Sequence, residues 1–306
     1  MTSEKLSRHE HYSYIHSDFF KNSLDLIHAF IMEDYSIGMH EQEFYEINVI
    51  TKGRGVHYIN ENRVVADVGD VFIIPPKIGH GYIGGRGFDV FHVILSDGFM
   101  NKYIADLQQL PSFYTLFGAE PLMRGRTSVP LHLTLSAEKL KKITNILSEI
   151  VSSSNYEDPV DCLTRSSLAM VAIGLLCSEY SGSASKSEHL LSDDRALMES
   201  ISYIHERYFE KITIDDLIRI AHISRSSYIR RFKEICGMAP SAYITKVRLD
   251  SASAMLINTT ISVSEIAGRT GFYDASHFTK SFENFYGIYP LEYRNKKRGI
   301  VHADSN

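Results

Sequence analysis

Four side chains near the start of the sequence have the types and spacing of a metal-ligand set. His40, Gln42 and Glu46 stand at i, i+2 and i+6 in HEQEFYE, and His80 closes GDVFIIPPKIGH (Gly69 to His80). Imidazoles with a carboxylate hold iron, zinc or nickel. One of the four is poorly suited to that work. Gln42 offers a neutral, weak oxygen ligand, so only two imidazoles remain and a transition-metal site is expected to be weak. The other chemistry open to these groups is hydrogen bonding. His, Glu, Asn and Tyr supply donors and acceptors, and a few of them in an apolar cavity suit a small hydroxylated molecule.

Such groups need strands to aim them. From Leu24 to about Leu95 the chain reads as short strands, among them FYEINVI, GVHYIN, VFII and FDVFHVIL, separated by the turn signals KGRG, NEN, VGD and GGRG. Many short strands predict a sandwich or small barrel. Alternation then places His40, Gln42, Glu46 and Asn48 on one face towards the interior, with Tyr58, His80 and His92 able to join them. The plainer alternative is that Glu46 caps a loop and His80 closes the turn after Pro75-Pro76.

Beyond Asp97 the pattern becomes helical. SAEKLKKITNILSEIVSSS has a cap residue at Ser136 and an apolar stripe of Leu140, Ile143, Ile146/Leu147 and Ile150. PVDCLTRSSLAMVAIGLLCSEY opens on Pro159 and forms a second helix. The pair predicts an antiparallel hairpin, whose apolar faces serve either a dimer interface or packing on the barrel. SGSASKSEHLLS (Ser181 to Ser192) reads as a linker.

Composition limits what the chain can be. At 306 residues it is long enough for two cores. Three cysteines, Cys162, Cys177 and Cys236, lack the spacing of a disulfide framework or zinc cluster and suit a reducing cytosol. The charged start MTSEKLSRHEHY does not read as a signal peptide. The longest apolar run, LAMVAIGLLC, falls short of the roughly 20 residues that span a bilayer, so no membrane is expected. Residues 193–298 carry 16 Lys/Arg against 13 Asp/Glu, while residues 1–192 carry 16 against 23. That split suggests two jobs, although the basic excess is too small to prove a nucleic-acid partner.

The C-terminal part contains a repeat. Phe232, Gly237, Pro240 and Tyr243 recur 50 residues later as Phe282, Gly287, Pro290 and Tyr293, both copies reading F-x4-G-x2-P-x2-Y. Upstream, Thr213-x-x-Asp216 and Ser262-x-x-Glu265 resemble helix starts, the second with the full capping-box pattern. Ser224 and Asp274 are the expected caps of the second helix in each copy, after turns at AHIS and TGFYD. This is a helix-turn-helix plan, in which the second helix enters the major groove. Helical spacing puts Tyr228, Phe232 and Ile235 inside and Ser226, Ile229, Arg230 and Lys233 outside. In the second copy Phe278, Phe282 and Phe285 are expected inside, with Ser276, Thr279, Lys280 and Glu283 outside. Arg230 and Lys280 hold equivalent positions and suit guanine O6/N7.

The stretch ISVSEIAGRTGFYDASHFTKSFENFYGIYPLEYR (Ile261 to Arg294) closely resembles the signature of the AraC/XylS family of bacterial transcription regulators. The resemblance implies two helix-turn-helix units joined by a long helix, here about Pro240 to Asn258. It implies base contacts from Ser226, Ile229 and Arg230 and from Ser276 and Lys280. Ile229 departs from the polar residue often found there and suits a thymine methyl. Arg225, Arg231 and Thr279 are candidates for phosphate contacts. The N-terminal part resembles the cupin fold of many members, with MHEQEFYEINVITKGRG similar to the first cupin motif and GDVFIIPPKIGHGY to the second. In metal-binding cupins these supply three His and one Glu. Here they map to His40, Gln42, Glu46 and His80, so an imidazole is missing.

The expectation is therefore a multidomain chain: a cupin-like β-barrel over 1–135 sensing an effector, a helical hairpin over 136–180 for dimerisation, a linker over 181–192, and an all-α DNA-binding domain over 193–298. It is expected to be a cytoplasmic, ligand-responsive transcription regulator and not an enzyme, without metal or other cofactor, with double-stranded DNA and a small-molecule effector as partners. Homodimerisation is expected, and contact with RNA polymerase is allowed. A sugar or related metabolite is the leading effector. The rivals are a metal-dependent cupin enzyme fused to DNA-binding helices and a regulator sensing an apolar ligand.

Overall fold

The computed structural model describes residues 12–14, 19–20, 25–59, 61–110, 112–124, 132–153, 155–184 and 192–297. The chain divides into two compact units, Met1–Leu190 and Leu191–Asn306.

The first unit is built on two five-stranded sheets. One has the order β1 (Tyr12–Tyr14), β3 (Ile37–Gln42), β8 (His80–Ile83), β5 (Arg54–Ile59), β6 (Asn62–Asp67). The other has the order β10 (Leu133–Thr134), β7 (Asp70–Ile74), β4 (Tyr45–Lys52), β9 (Asp89–Leu95), β2 (Ile27–Met32). All pairings are antiparallel except β1 with β3. The second sheet is buried on both faces, which explains its nearly continuous apolar strands. Phe72, Ile74, Ile50 and Val90 join Tyr82 and Phe88 in one cluster. Their strand neighbours Val71, Ile73, Val49 and Phe91 point the other way and join helical residues in a second, larger cluster.

That larger cluster is where the helical hairpin goes. α1 (Asp97–Leu107) and the short α2 (Glu120–Met123) lead to α3 (Ala137–Ser152) and α4 (Pro159–Ala184). Ser136 caps α3, its Oγ accepting from the Lys139 backbone N–H at 3.4 Å. Lys139 on the first turn of α3 reaches Glu179 near the end of α4 at 2.6 Å, as an antiparallel pair requires. The stripe of Ile143, Leu147 and Ile150 packs with Ile173, Leu176 and Tyr180 onto the sheet, so of the two uses expected for it the barrel takes this one. A buried arginine fastens the hairpin's loop. Arg165 donates to the Ser153 carbonyl at 2.6 Å, lies 4.2 Å over the Tyr156 ring and 4.0 Å from Asp25. Tyr156 in turn stacks at 4.4 Å on His28 of β2.

Two expectations change here. α4 continues through Ala184, into the segment expected to be linker, because Ser and Ala tolerate helix as well as loop; at its other end Ser192 already belongs to the next helix, and 185–191 lie outside the described residues, as does Arg298. α4 also has the length and apolarity of a bilayer-spanning helix over Pro159–Ser181. Burial of one of its faces against the sheet accounts for part of that composition.

The second unit is all helix: α5 (Ser192–Arg207), α6 (Ile214–Ala221), α7 (Arg225–Cys236), α8 (Pro240–Asn258), α9 (Val263–Arg269), α10 (Ala275–Tyr286) and α11 (Pro290–Lys297). The 50-residue repeat has a physical meaning. Gly237 and Gly287 end α7 and α10 in the left-handed conformation, at φ 72° and 76°. Pro240 and Pro290 then start the next helices, and the following tyrosine folds back edge-on to the phenylalanine. Phe232–Tyr243 and Phe282–Tyr293 have ring centroids 5.4 and 5.3 Å apart, both at 79°.

The caps fall where expected, with one reversal. Ser224 and Asp274 accept from the Ser227 and His277 backbone N–H groups. The complete capping box is at Thr213/Asp216; at Ser262 only the serine side of the box forms, because Glu265 pairs with Arg269 at 2.6 Å. Phe285, expected inside, is 48% exposed, its place taken by Tyr286 against Phe282 at 4.5 Å; Ile235 is half-buried.

Gly271 makes the turn of the second unit at φ 79°, and a Cβ there would lie 2.7 Å from the Tyr208 carbonyl oxygen. Gly268, in α9, has open space around its Cβ position. Gly271→Ala should therefore destabilise the second unit by more than about 1 kcal/mol, and Gly268→Ala should stabilise it by about 0.5–1 kcal/mol. Urea titrations followed by helical circular dichroism would show opposite shifts in midpoint.

Candidate functional site

The interior of the barrel is organised by one carboxylate. Glu46 on β4 is 6% exposed and faces the opposite sheet. His92 of neighbouring β9 donates through Nδ1 to its Oε1 at 2.6 Å. Gln42 at the end of β3 donates through Nε2 to Oε2 at 3.2 Å, and His80 Nε2 of β8 lies 3.3 Å from the same oxygen. Burial opposes ionisation of Glu46, but the hydrogen bonds and charge of His80 and His92 outweigh it and hold the carboxyl well below the usual range. His40 pairs in register with His80, the rings 4.1 Å apart. Asn48 pairs with His92 and donates to the Tyr82 hydroxyl at 3.1 Å. His40, Gln42, Glu46, Asn48, His80 and His92 are thus brought together, all buried.

Tyr58 is not among them. It is half-exposed and points out of the barrel, whereas its neighbour His57 is fully buried. On β5 the inward phase is Gly55, His57, Ile59. His57 stacks at 4.6 Å on Phe72 and lies edge-on at 4.5 Å to Tyr82. Burial, with the charge of Arg124, pushes its pKa well down, so the ring is neutral. Two further polar residues unmarked by any motif are buried nearby. Glu120 and Arg124 form an ion pair, and Arg124 lies 5.1 Å over Phe72 and donates to the Ile73 carbonyl at 2.8 Å. Tyr14, on the strand that runs parallel to β3, sets its ring edge-on to His40 at 5.3 Å.

The tautomers follow from the partners. His40 Nδ1 faces the Gly38 carbonyl at 3.0 Å and His80 Nδ1 the Ile78 carbonyl at 3.1 Å. A carbonyl only accepts, so both Nδ1 atoms carry hydrogen. His92 Nδ1 donates to Glu46, and its Nε2 points away from that bond. Four buried polar atoms of this interior have no protein partner: Asn48 Oδ1, both nitrogens of His57, and Nε2 of His92. The set does not fit a metal. Gln42 turns its amide nitrogen on Glu46, which already accepts from His92. Among the described residues no three His, Cys, Asp or Glu side chains stand at metal-holding spacing.

In the second unit the predicted DNA-reading side chains share the outer faces of α7 and α10. Ser226, Ile229, Arg230 and Lys233 are exposed on α7, Ser276 and Lys280 on α10, with Thr279 half-buried. Arg230 is held by Glu234 at 3.2 Å, Arg225 by Asp215 at 2.7 Å, and Arg231 is half-buried.

A family model described as an AraC-like ligand binding domain matches residues 24–168, and a helix-turn-helix domain model matches residues 217–296. The chain belongs to the AraC family of transcription regulators. Its barrel is the family's ligand-binding domain, and its C-terminal unit is the DNA-binding domain. Similar relatives include the HTH-type transcriptional activator RhaS of Klebsiella pneumoniae (strain 342), 22% identical over 86% of this chain and 89% of that one. The Msm operon regulatory protein of Streptococcus mutans is 24% identical over 86% and 88%. Among solved structures, the DNA-binding domain of AdpA in complex with a target DNA is 30% identical, covering 34% of this chain and 94% of that one, with a TM-score of 0.33.

The barrel of this AraC-family chain should be acid-labile. Burial, with the nearby charge of His80, pushes His40 down to about 4. The unfolded chain binds that proton near pH 6.5, so stability is full above that value and falls as pH drops towards 4. Glu46 acts in the same direction at lower pH, since its folded pKa is also depressed. Calorimetry should show the barrel's melting temperature falling between pH 7 and pH 4.5. His40→Asn, which cannot titrate, should flatten the upper part of that fall.

Proposed function

We propose that the barrel holds a neutral, hydroxyl-rich metabolite, most simply a sugar, and that its binding changes how a dimer of this regulator engages DNA. The observation that carries this reading is the group of buried polar atoms without protein partners. A buried polar atom left unpaired costs about 1–3 kcal/mol, and a ligand bearing several hydroxyls supplies the donors and acceptors that these atoms lack. An apolar ligand would leave each of them unpaired.

The division of labour proposed is sensing over 1–135, dimerisation over 136–180, connection over 181–192 and DNA binding over 193–298. One face of α4 is spent on the barrel, but Val160, Leu163 and Val171, 69%, 61% and 51% exposed, form an apolar outward face. A second copy of the chain would cover it. A soluble, cytoplasmic regulator that can contact RNA polymerase and carries out no catalysis fits this arrangement. For the effector to act, it must bind one state of the dimer better than the other.

Two measurements test this. Neutral sugars and polyols, screened against the full chain by thermal shift, should include one that raises the barrel's melting temperature. Asn48→Leu should weaken its binding roughly tenfold, the cost of one buried hydrogen bond. Fatty acids or aromatic compounds stabilising the chain where no sugar does would refute the reading. In sedimentation, the wild type should be a dimer and Leu163→Glu a monomer with an unchanged far-ultraviolet spectrum. A dimeric variant would remove α4 from the interface.

A further inference from the structure

The internal repeat allows the two DNA-reading helices to be compared position by position. Buried positions keep their character: Tyr228 and Phe232 correspond to Phe278 and Phe282. Two outward positions do too, Ser226 with Ser276 and Arg230 with Lys280. The N-terminal end of the helix, which enters the groove first, does not. There the first copy has Ile223, the neutral cap Ser224 and then Arg225, whereas the second has Tyr273, the anionic cap Asp274 and then Ala275. The second unit has lost a cation at the end of its reading helix and gained a carboxylate and a phenol.

The phenol stands free. Tyr273 is 94% exposed, while Ile223 is half-buried. Its backbone is nonetheless fixed on both sides. Phe272 is buried in the core, 5.2 Å from Phe278, and Asp274 caps α10 by accepting from the His277 N–H at 2.7 Å. A ring so exposed adds nothing to the folding of the free chain, so stability does not account for it.

We propose that Tyr273 is a DNA-backbone contact of the second helix-turn-helix unit, its hydroxyl donating to a phosphate at the rim of the groove read by Ser276 and Lys280. The reasoning is electrostatic. Asp274 occupies a cap N–H that would otherwise meet a phosphate and places a negative charge beside the duplex. A neutral donor on a long, rigid side chain reaches past that carboxylate to the phosphate, as tyrosine does in phosphate contacts generally. It positions the second unit where Arg225 can serve the first.

The test uses the full chain and a duplex that the wild type selects from a random pool. Tyr273→Ala and Tyr273→Phe should each weaken binding roughly tenfold, the loss of one hydrogen bond to a charged group. The loss should be equal on the selected duplex and on single-mismatch variants, because a phosphate contact carries no sequence information. The dependence of affinity on salt should stay unchanged, since no cation is removed; Lys280→Ala, the control, should reduce it. The melting temperature should not move. Wild-type affinity for Tyr273→Ala overturns the proposal, as does a lowered melting temperature. Wild-type affinity for Tyr273→Phe, with altered base preference for Tyr273→Ala, overturns it too, by making the ring a thymine-methyl contact.

Discussion

A carboxylate buried between two sheets must be met by donors, and much of the barrel follows from that requirement at Glu46. Its partners come from both sheets: His92 from the adjacent strand, His80 and Gln42 from the opposite one. The ion is therefore satisfied only when the sheets close over it in register. A slip of one residue on β4 would turn Glu46 and Asn48 towards the helices and Ile47 and Val49 towards the histidines. Losing a partner of a buried charge costs several kcal/mol. The same contacts leave His92 Nε2 and the neighbouring Asn48 Oδ1 facing inward without a protein partner. The side chains that close the barrel thus keep polar atoms that its closure does not use.

The DNA-binding unit solves a different problem, the stability of short helices. α6 and α9 span only 8 and 7 residues, too short to persist alone. Each copy spends two aromatic rings, a left-handed glycine and a helix-starting proline on a single device, the edge-to-face contact of Phe with Tyr 11 residues later. With the core carried by those residues and by α8, the outer faces of α7 and α10 bear little structural load. Arg230 and Lys280 stand outside that core.

The second unit was legible in the sequence because its device repeats: two copies of one spacing fixed caps, turns and outward positions together. The misreadings there were local competitions between neighbours. Phe285 and Tyr286 both suit the inward stripe, and the approach of Tyr293 at 5.2 Å, with the Tyr286 hydroxyl donating to Asp250 at 3.1 Å, selects Tyr286. The barrel was legible on β4, where Glu46, Asn48 and Ile50 alternate cleanly with Ile47 and Val49. It was not on β5, where GVHYI has apolar residues in both phases. There the phase is set by Gly55, since a Cβ would come within 2.8 Å of the Phe88 ring, and by the pairing of His57 with Tyr82. Both are long-range facts. The helical hairpin showed the same gap: an amphipathic stripe states that something covers it, not whether that is a sheet of the same chain or a second copy.

Sensing requires that the interior and the helices outside it be linked through something a ligand can bias. β2 lies between them. Phe30 stacks at 5.0 Å on His92, and two residues earlier His28 stacks on Tyr156, over which Arg165 lies. A ligand hydrogen-bonded to His92 Nε2 is thus one ring from β2, and β2 is one ring from the loop joining α3 to α4. Contiguity supplies the route, and energy travels along it only if some member has two arrangements that the ligand distinguishes. The side chains of this route most suited to that role carry charge. Arg165 and Asp25 are each almost wholly buried, at 1% and 2% exposure, and stand 4.0 Å apart, beyond direct hydrogen-bonding distance. A small shift of β2 in either direction would change that electrostatic contact, whereas the same shift among the close-packed aliphatic residues of the sheet would be resisted by their neighbours.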